Sequence, residues 1–250
     1  MKKTLRLILF VALLCLARPA TAQSTSISNA TPVAPAAAEK EAASYEKHAK
    51  AVMDALKLDD AASAAKVHDV MVAQLAIWKS WHAQNDAQLK QLWAEYNKTR
   101  STRIETNINS AMGRIEAVYA TLKPQHDAFI AKLSALISSQ QIETVEDVLT
   151  AKKVEATFNA YGQIFQGLTE EQKAFILKNL KAAREEAIDA GSMSEKSAFF
   201  KKYKDRIEAY LTAQGYDVKQ AYKDFVAKQK AEMAAKKAAK TDAKEPAENE

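Results

Sequence analysis

The sequence predicts an all-α fold, a single elongated bundle of about seven or eight helices built from helical hairpins. Three observations point there. Glycine and proline number five each in 250 residues, and between Ala36 and Glu245 there is one proline, Pro124. A β-sandwich or barrel needs turn residues far more often than that. Apolar residues recur at three- and four-residue steps along most of the chain. They make up 48% of it, which is enough to bury a core and argues against a disordered chain.

The elements follow in order. Residues 1–22 read as a signal peptide: Lys2, Lys3 and Arg6 precede an apolar run from Leu7 to Ala17, and Ala20-Thr21-Ala22 forms a small-x-small cleavage site before Gln23. The run is too short to span a bilayer. The expected product is a periplasmic or secreted protein cleaved after Ala22, with no membrane span in the mature chain. Cys15 follows Leu14, where a lipoprotein signal requires a small residue, so no lipid anchor is expected. Cys15 is also the only cysteine and leaves with the leader, which excludes structural disulfides and thiolate metal sites from the mature chain.

Residues 23–38, rich in Ser, Thr, Ala and Pro, read as a flexible linker, and residues 234–250 as a disordered charged tail. Between them, 39–233 read as one all-helical domain. The spacing predicts helices over about 39–58, 61–97, 101–122, 124–137, 145–165, 169–187, 194–213 and 218–233. Asp59 and Asp60 suit the start of the second. Pro124 starts the fourth, and residues 139–143 read as a break. Thr169 with Gln172 three residues on has the form of a capping box, and Gly167, Gly191 and Gly215 stop helices. A weak internal repeat pairs Gln125-x-x-Ala128-Phe129-Ile130-x-Lys132 with Gln172-x-Ala174-Phe175-Ile176-x-Lys178. It is either a duplication or the shared chemistry of helix starts.

Charge narrows the function. The leader carries Lys2, Lys3, Arg6 and Arg18 and no acid. Its removal takes 36 basic groups down to 32 against 31 acidic ones, a net of +1. There is no basic stripe of the kind that nucleic acid requires. The histidines 48, 68, 82 and 126 lack zinc-ligand spacing, so no metal is expected, and no glycine-rich phosphate loop or nucleophile elbow is present. No cofactor is called for, and nothing marks the chain as an enzyme.

Three constellations are candidates for ligand binding. Trp81 and His82, beside Trp78, cluster on one helix; indole faces stack on sugar rings, and an imidazole can bond hydroxyls. The other reading is core packing. Lys153, Thr157 and Tyr161, spaced by four, put a polar stripe on one helix face, which is either a site or a solvated surface. Arg184, Glu185 and Asp189, with Tyr203 and the cations Lys196, Lys204 and Arg206 across the Gly191 turn, could clamp a polyol or serve as acid and base. Alternatively they form a salt-bridge network that fixes a hairpin.

Several of these residues carry a resemblance. Trp81-His82, Val148-Leu149-Thr150-x-x-Lys153-Val154-x-x-Thr157-x-x-x-Tyr161, Leu168-Thr169-x-x-Gln172, Ala183-Arg184-Glu185-x-Ala187-x-Asp189 and Phe200-x-x-Tyr203-Lys204 look like an exported domain-of-unknown-function family. That family occurs mainly in polysaccharide-degrading bacteria, and a sugar-binding role has been suggested for it. The resemblance covers about residues 39–230. It implies a carbohydrate-binding or polysaccharide-utilisation accessory role, with an oligo- or polysaccharide as partner, and carries over no site residues. Leu168-Thr169-Glu170-Glu171-Gln172, with the degraded Leu122-Lys123-Pro124-Gln125, is similar to the twin motifs of Spy-like periplasmic chaperones. That second resemblance implies a homodimer and an envelope-stress role as the alternative. Sugar binding calls for a polar cleft with an exposed aromatic, a chaperone for a broad concave surface, apolar and basic, usually made by a dimer.

Overall fold

The computed structural model describes residues 35–242, and within them every regular element is helical. The predicted leader, Cys15, most of the linker and the last residues of the tail lie outside the described residues. Nine α-helices follow one another: α1 (Pro35–Leu56), α2 (Ala61–Thr102), α3 (Glu105–Tyr119), α4 (Lys123–Ser134), α5 (Ser139–Leu149), α6 (Lys153–Ile164), α7 (Glu170–Ala187), α8 (Met193–Ala213) and α9 (Val218–Asp242). A 3₁₀ turn, Ala120–Leu122, joins α3 to α4. The helix α1 begins inside the stretch read as linker, and α9 continues beyond Met233, where the tail reading began.

The helix starts obey local chemistry. Asp60 caps α2 by accepting from the Ser63 N–H at 2.7 Å. Ser138, Thr169 and Ser192 each close a capping box with Gln141, Gln172 and Glu195, so α5, α7 and α8 begin with two donors satisfied apiece. The first of these corrects the sequence reading. Residues 139–143 are the first turns of α5, not a break, because Ser138-x-x-Gln141 is itself a start signal.

The break lies instead at Thr150–Lys152, inside the segment read as one helix. Ala151 and Lys152 both adopt left-handed backbone, with φ of 53° and 52°. Neither is glycine or asparagine, so nothing in the composition marks the turn. Thr150 holds it from within: its buried hydroxyl donates to the Glu146 carbonyl at 2.8 Å.

The helix α2, 42 residues and so about 60 Å long, is the spine. It packs against α1, α3 and α4, while α7 and α8 form the most extensive hairpin, with α6 against α7 and α9 against α6 and α8. An aromatic core joins the spine to the hairpin. Trp78 meets Phe129 of α4 edge-on at 5.5 Å, Trp81 meets Tyr119 of α3 at 5.2 Å, and Tyr119 and Trp93 both meet Phe199 of α8, at 5.3 and 6.0 Å. A smaller group, Tyr161, Phe165, Tyr216 and Tyr222, seats α9.

The weak repeat does not extend to packing. Phe129 is buried and its neighbour Ile130 half-buried, whereas Phe175 is half-buried and Ile176 fully buried. The two helices turn different faces inward, and α4 starts without a side-chain cap.

Candidate functional site

The site is built around the turn that closes the α7–α8 hairpin. Asp189 lies just past the end of α7, and two helices hold it by three bonds. The Trp78 indole N–H of α2 donates to its Oδ1 at 2.7 Å, and His126 Nδ1 of α4 lies 2.9 Å from its Oδ2. Its backbone carbonyl accepts from His82 Nε2, again of α2, at 2.8 Å. Gly191 allows this approach: a Cβ there would come within 3.0 Å of the His82 ring and 3.3 Å of Glu195 Oε2.

His126 also reaches Glu185, with Nε2 to Oε1 at 2.8 Å. Both ring nitrogens therefore face carboxylates and both must donate. The bonds to Asp189 and Glu185 outweigh burial and push the His126 pKa up to about 10, so the ring is an imidazolium at neutral pH. In return, Glu185 is held below the ordinary carboxylate range, chiefly by its hydrogen bond to His126.

A second network lies behind the first. Arg184, 4% exposed, binds Glu146 at 2.6 Å and Asp147 at 2.7 Å, while Lys181 binds Glu143 at 2.6 Å. These pairs fasten α7 to α5. Burial raises Glu146 to about 7, against the pull of Arg184, and neighbouring Glu185, Glu143 and Asp147 add to the rise. Lys196 closes the far side of the hairpin turn, donating to the carbonyls of Ala187 and Ile188 at 3.1 and 2.9 Å. Burial brings its pKa down to about 8.

Beside His126 a cleft of about 370 Å³ opens, walled by Tyr119, Ala120 and Phe199 and edged by Glu116, Lys123, Glu185, Glu186 and Asp189. Its charges are only partly paired: Lys202 ties Glu116 to Glu186, each at 2.7 Å, while Lys123 binds Asp127 outside the lining. The Tyr203 hydroxyl donates to Glu186 at 2.6 Å.

The sequence-predicted residues divide. Trp81, His82, Glu185 and Asp189 converge on this region, with Arg184 behind it and Tyr203 at its margin. Trp81 does not line the cleft: it is buried, donates to Thr121 at 3.1 Å and packs on Tyr119, so it is a core residue. Lys153, Thr157 and Tyr161 do not join the cluster. Tyr161 is fully buried and its hydroxyl points to the Lys204 carbonyl and Glu208 of α8 at 3.5 and 3.4 Å; Lys153 lies over the Phe200 ring. These three form no hydrogen bond or ion pair with Arg184, Glu185, Asp189 or Tyr203 among the described residues.

The cation that joins Glu185 to Asp189 is also not one of those expected from α8. It is His126, 59 and 63 residues away in sequence. Sequence reasoning passed over it because histidines were examined for metal spacing. The available signal was the pair Glu185 and Asp189 on one helix face, which needs a partner once packed inward.

The family model "Protein of unknown function (DUF3826)" matches residues 42–231. The chain belongs to this DUF3826 family. The match takes in every residue of the site just described. No curated protein matches the chain.

Two outcomes test the networks. Arg184→Ala leaves Glu146 and Asp147 without their cation, and the unfolding free energy should fall by about 3–5 kcal/mol in urea titration. The second is a pH effect. A histidine whose folded pKa is about 10 against 6.5 unfolded stabilises the fold fully below pH 6.5 and loses that effect as pH rises toward 10. The stability difference between the wild type and His126→Gln should therefore be largest at pH 6 and shrink steadily to pH 10.

Proposed function

We propose that the protein is an exported, non-enzymatic carbohydrate-binding member of its family and that the cleft beside His126 is where the sugar binds. The observation that carries this reading is a set of carboxylates with fixed geometry, held in pairs by shared cations beside apolar ring edges. Glu185 and Asp189 share the His126 imidazolium, and Glu116 and Glu186 share the Lys202 ammonium. Glu116, Glu185 and Glu186 keep lone pairs that can accept from sugar hydroxyls, and two cations shared among four carboxylates leave the lining acidic, so a neutral polyol fits better than an anion. Tyr119 and Phe199 line the apolar side of the cleft for the ring carbons, but both are buried, so the exposed aromatic expected of a sugar site is not among them.

Protonation favours binding over hydrolysis. A glycosidase needs one carboxyl that still holds its proton at working pH. In this cleft Glu185 is shifted the other way, and the carboxyl raised to about 7, Glu146, sits behind it against Arg184. The alternative, a Spy-like chaperone, asks for a broad apolar and basic surface, whereas this cleft is edged mainly by acids.

The test is a screen of the purified mature protein on an oligosaccharide array, followed by calorimetry on the best ligand. Glu185→Gln keeps an acceptor for His126 and loses the charge. It should weaken sugar binding about tenfold, a change of about 1.4 kcal/mol, and move the melting temperature by only a few degrees. The export reading has its own check: mass spectrometry of the natural protein should find Gln23, free or cyclised, as the first residue.

A further inference from the structure

A second cleft, of about 640 Å³, lies between α3 and α8. Tyr96, Ile108 and Met112 form its floor, and Glu105, Asn109 and Arg206 are among its polar groups. It meets the first cleft at Glu116, which lines both. The meeting point is a clasp. Lys202 Nζ of α8 bonds Glu116 of α3 at 2.7 Å and Glu186 of α7 at 2.7 Å, and all three side chains are partly open to solvent. The stretch of α3 from Glu105 to Tyr119 alone runs about 20 Å.

We propose that the two clefts are one groove, and that its ligand is a linear oligosaccharide of neutral sugars laid along α3 across the Lys202 clasp, not a monosaccharide held beside His126. The inference rests on the sugar reading above and extends it in length and in charge.

The length follows from geometry. A single sugar ring would fill the first cleft and leave the second, larger one unused. The two share a wall residue, Glu116, and the Lys202 clasp ties the edge of one to the edge of the other. Carboxylates stand beside apolar side chains in both, Tyr119 and Phe199 in the first and Ile108 and Met112 in the second. Such repetition suits a ligand that itself repeats.

The charge follows from the lining. Around the two clefts stand seven carboxylates and four cationic side chains, His126 included. The surplus is acidic, so a chain of uronic acids would meet repulsion along the whole groove, while a neutral chain would not. The clasp fits this picture. By binding Glu116 and Glu186 at once, Lys202 lowers the repulsion where the clefts meet and leaves acceptors there for hydroxyls.

Calorimetry with graded oligosaccharides tests it. The probes are di-, tetra- and hexasaccharides of linear neutral glucans, mannans, xylans and galactans, with oligogalacturonates of the same lengths as the anionic series. In at least one neutral series, affinity should rise tenfold or more from disaccharide to hexasaccharide, and no oligogalacturonate should bind as tightly as the neutral chain of its length. Asn109→Ala, an exposed change at the far cleft, should weaken the hexasaccharide about fivefold and leave the disaccharide within twofold. Circular dichroism should show the variant folded as the wild type. Binding that is flat with length, or tighter for the oligogalacturonates, would overturn the groove while leaving the sugar reading standing. If no neutral oligosaccharide of any length binds the wild type, both fall together.

Discussion

One carboxylate holds the two halves of this molecule together. Asp189 sits where α7 turns into α8, and it is bonded by Trp78 and His82 of α2 and by His126 of α4. The α7–α8 hairpin is the largest packed unit, and α2 is the longest helix. Asp189 therefore joins the spine, the hairpin and the α4 segment at a single side chain and its own backbone carbonyl. Burying such a group is costly unless every lone pair is used. Here Oδ1, Oδ2 and the main-chain oxygen each have a partner. The aromatic edges of Trp78 on Phe129 and Tyr119 on Phe199 pack around this polar centre. The apolar core gives the region its stability, and the three directed bonds fix which way the hairpin turn points.

Buried charge is organised in two layers. In the outer one, His126 is shared between Asp189 and Glu185; in the inner one, Arg184 is shared between Glu146 and Asp147. Glu185 stands between them, next in sequence to Arg184 and within the influence of both cations. The two layers therefore act on each other. Removing charge from one alters the proton affinity of the other, and Glu146, already raised to about 7, is the group closest to changing state near neutrality. Its sign is opposite to that of an ordinary paired carboxylate: the fold holds its proton more tightly than the unfolded chain does, so this group favours folding least above about pH 7.

What could be read from the sequence, and what could not, follows from the range of the interactions. Helices with strong local signals were legible. Asp60, the Thr169–Gln172 capping box and Gly215, with φ of 93°, all sit where the sequence puts them, because a cap or a left-handed turn is decided within four residues. The turn at Ala151 and Lys152 was not legible, since its residues have no preference for left-handed backbone and tertiary packing imposes it. The same division runs through the site. Glu185 and Asp189 were readable as a pair on one face, and Arg184 as their neighbour. That His126 would close the pair depends on how α4 lies against α7, which no local pattern encodes. Trp81 shows the converse limit. Its spacing beside His82 was read correctly, but whether a tryptophan faces a ligand or a core depends on what packs over it, and here Tyr119 does.

Rigidity is what would let the polar groups of the cleft serve the proposed binding. A side chain that must be ordered when a ligand arrives loses rotamer freedom at that moment and weakens the complex. Glu185, Asp189, Glu116 and Glu186 are already held, each by a cation from another helix, and Tyr203 adds a further bond to Glu186. The cations come from α4 and α8 and the carboxylates from α3, α7 and the turn beyond it, so the arrangement exists only in the folded bundle. The ion pairs at the rim are partly exposed, and pairs of that kind add little to stability. Their contribution is better understood as orientation: they hold the carboxylates in place beside a space lined by Tyr119 and Phe199 and lower the repulsion between them. Loss of Arg184 would strand buried carboxylates, whereas the exposed clasp chiefly orients its glutamates. On the proposed sugar reading, substitutions in the clasp should therefore alter binding without unfolding the protein.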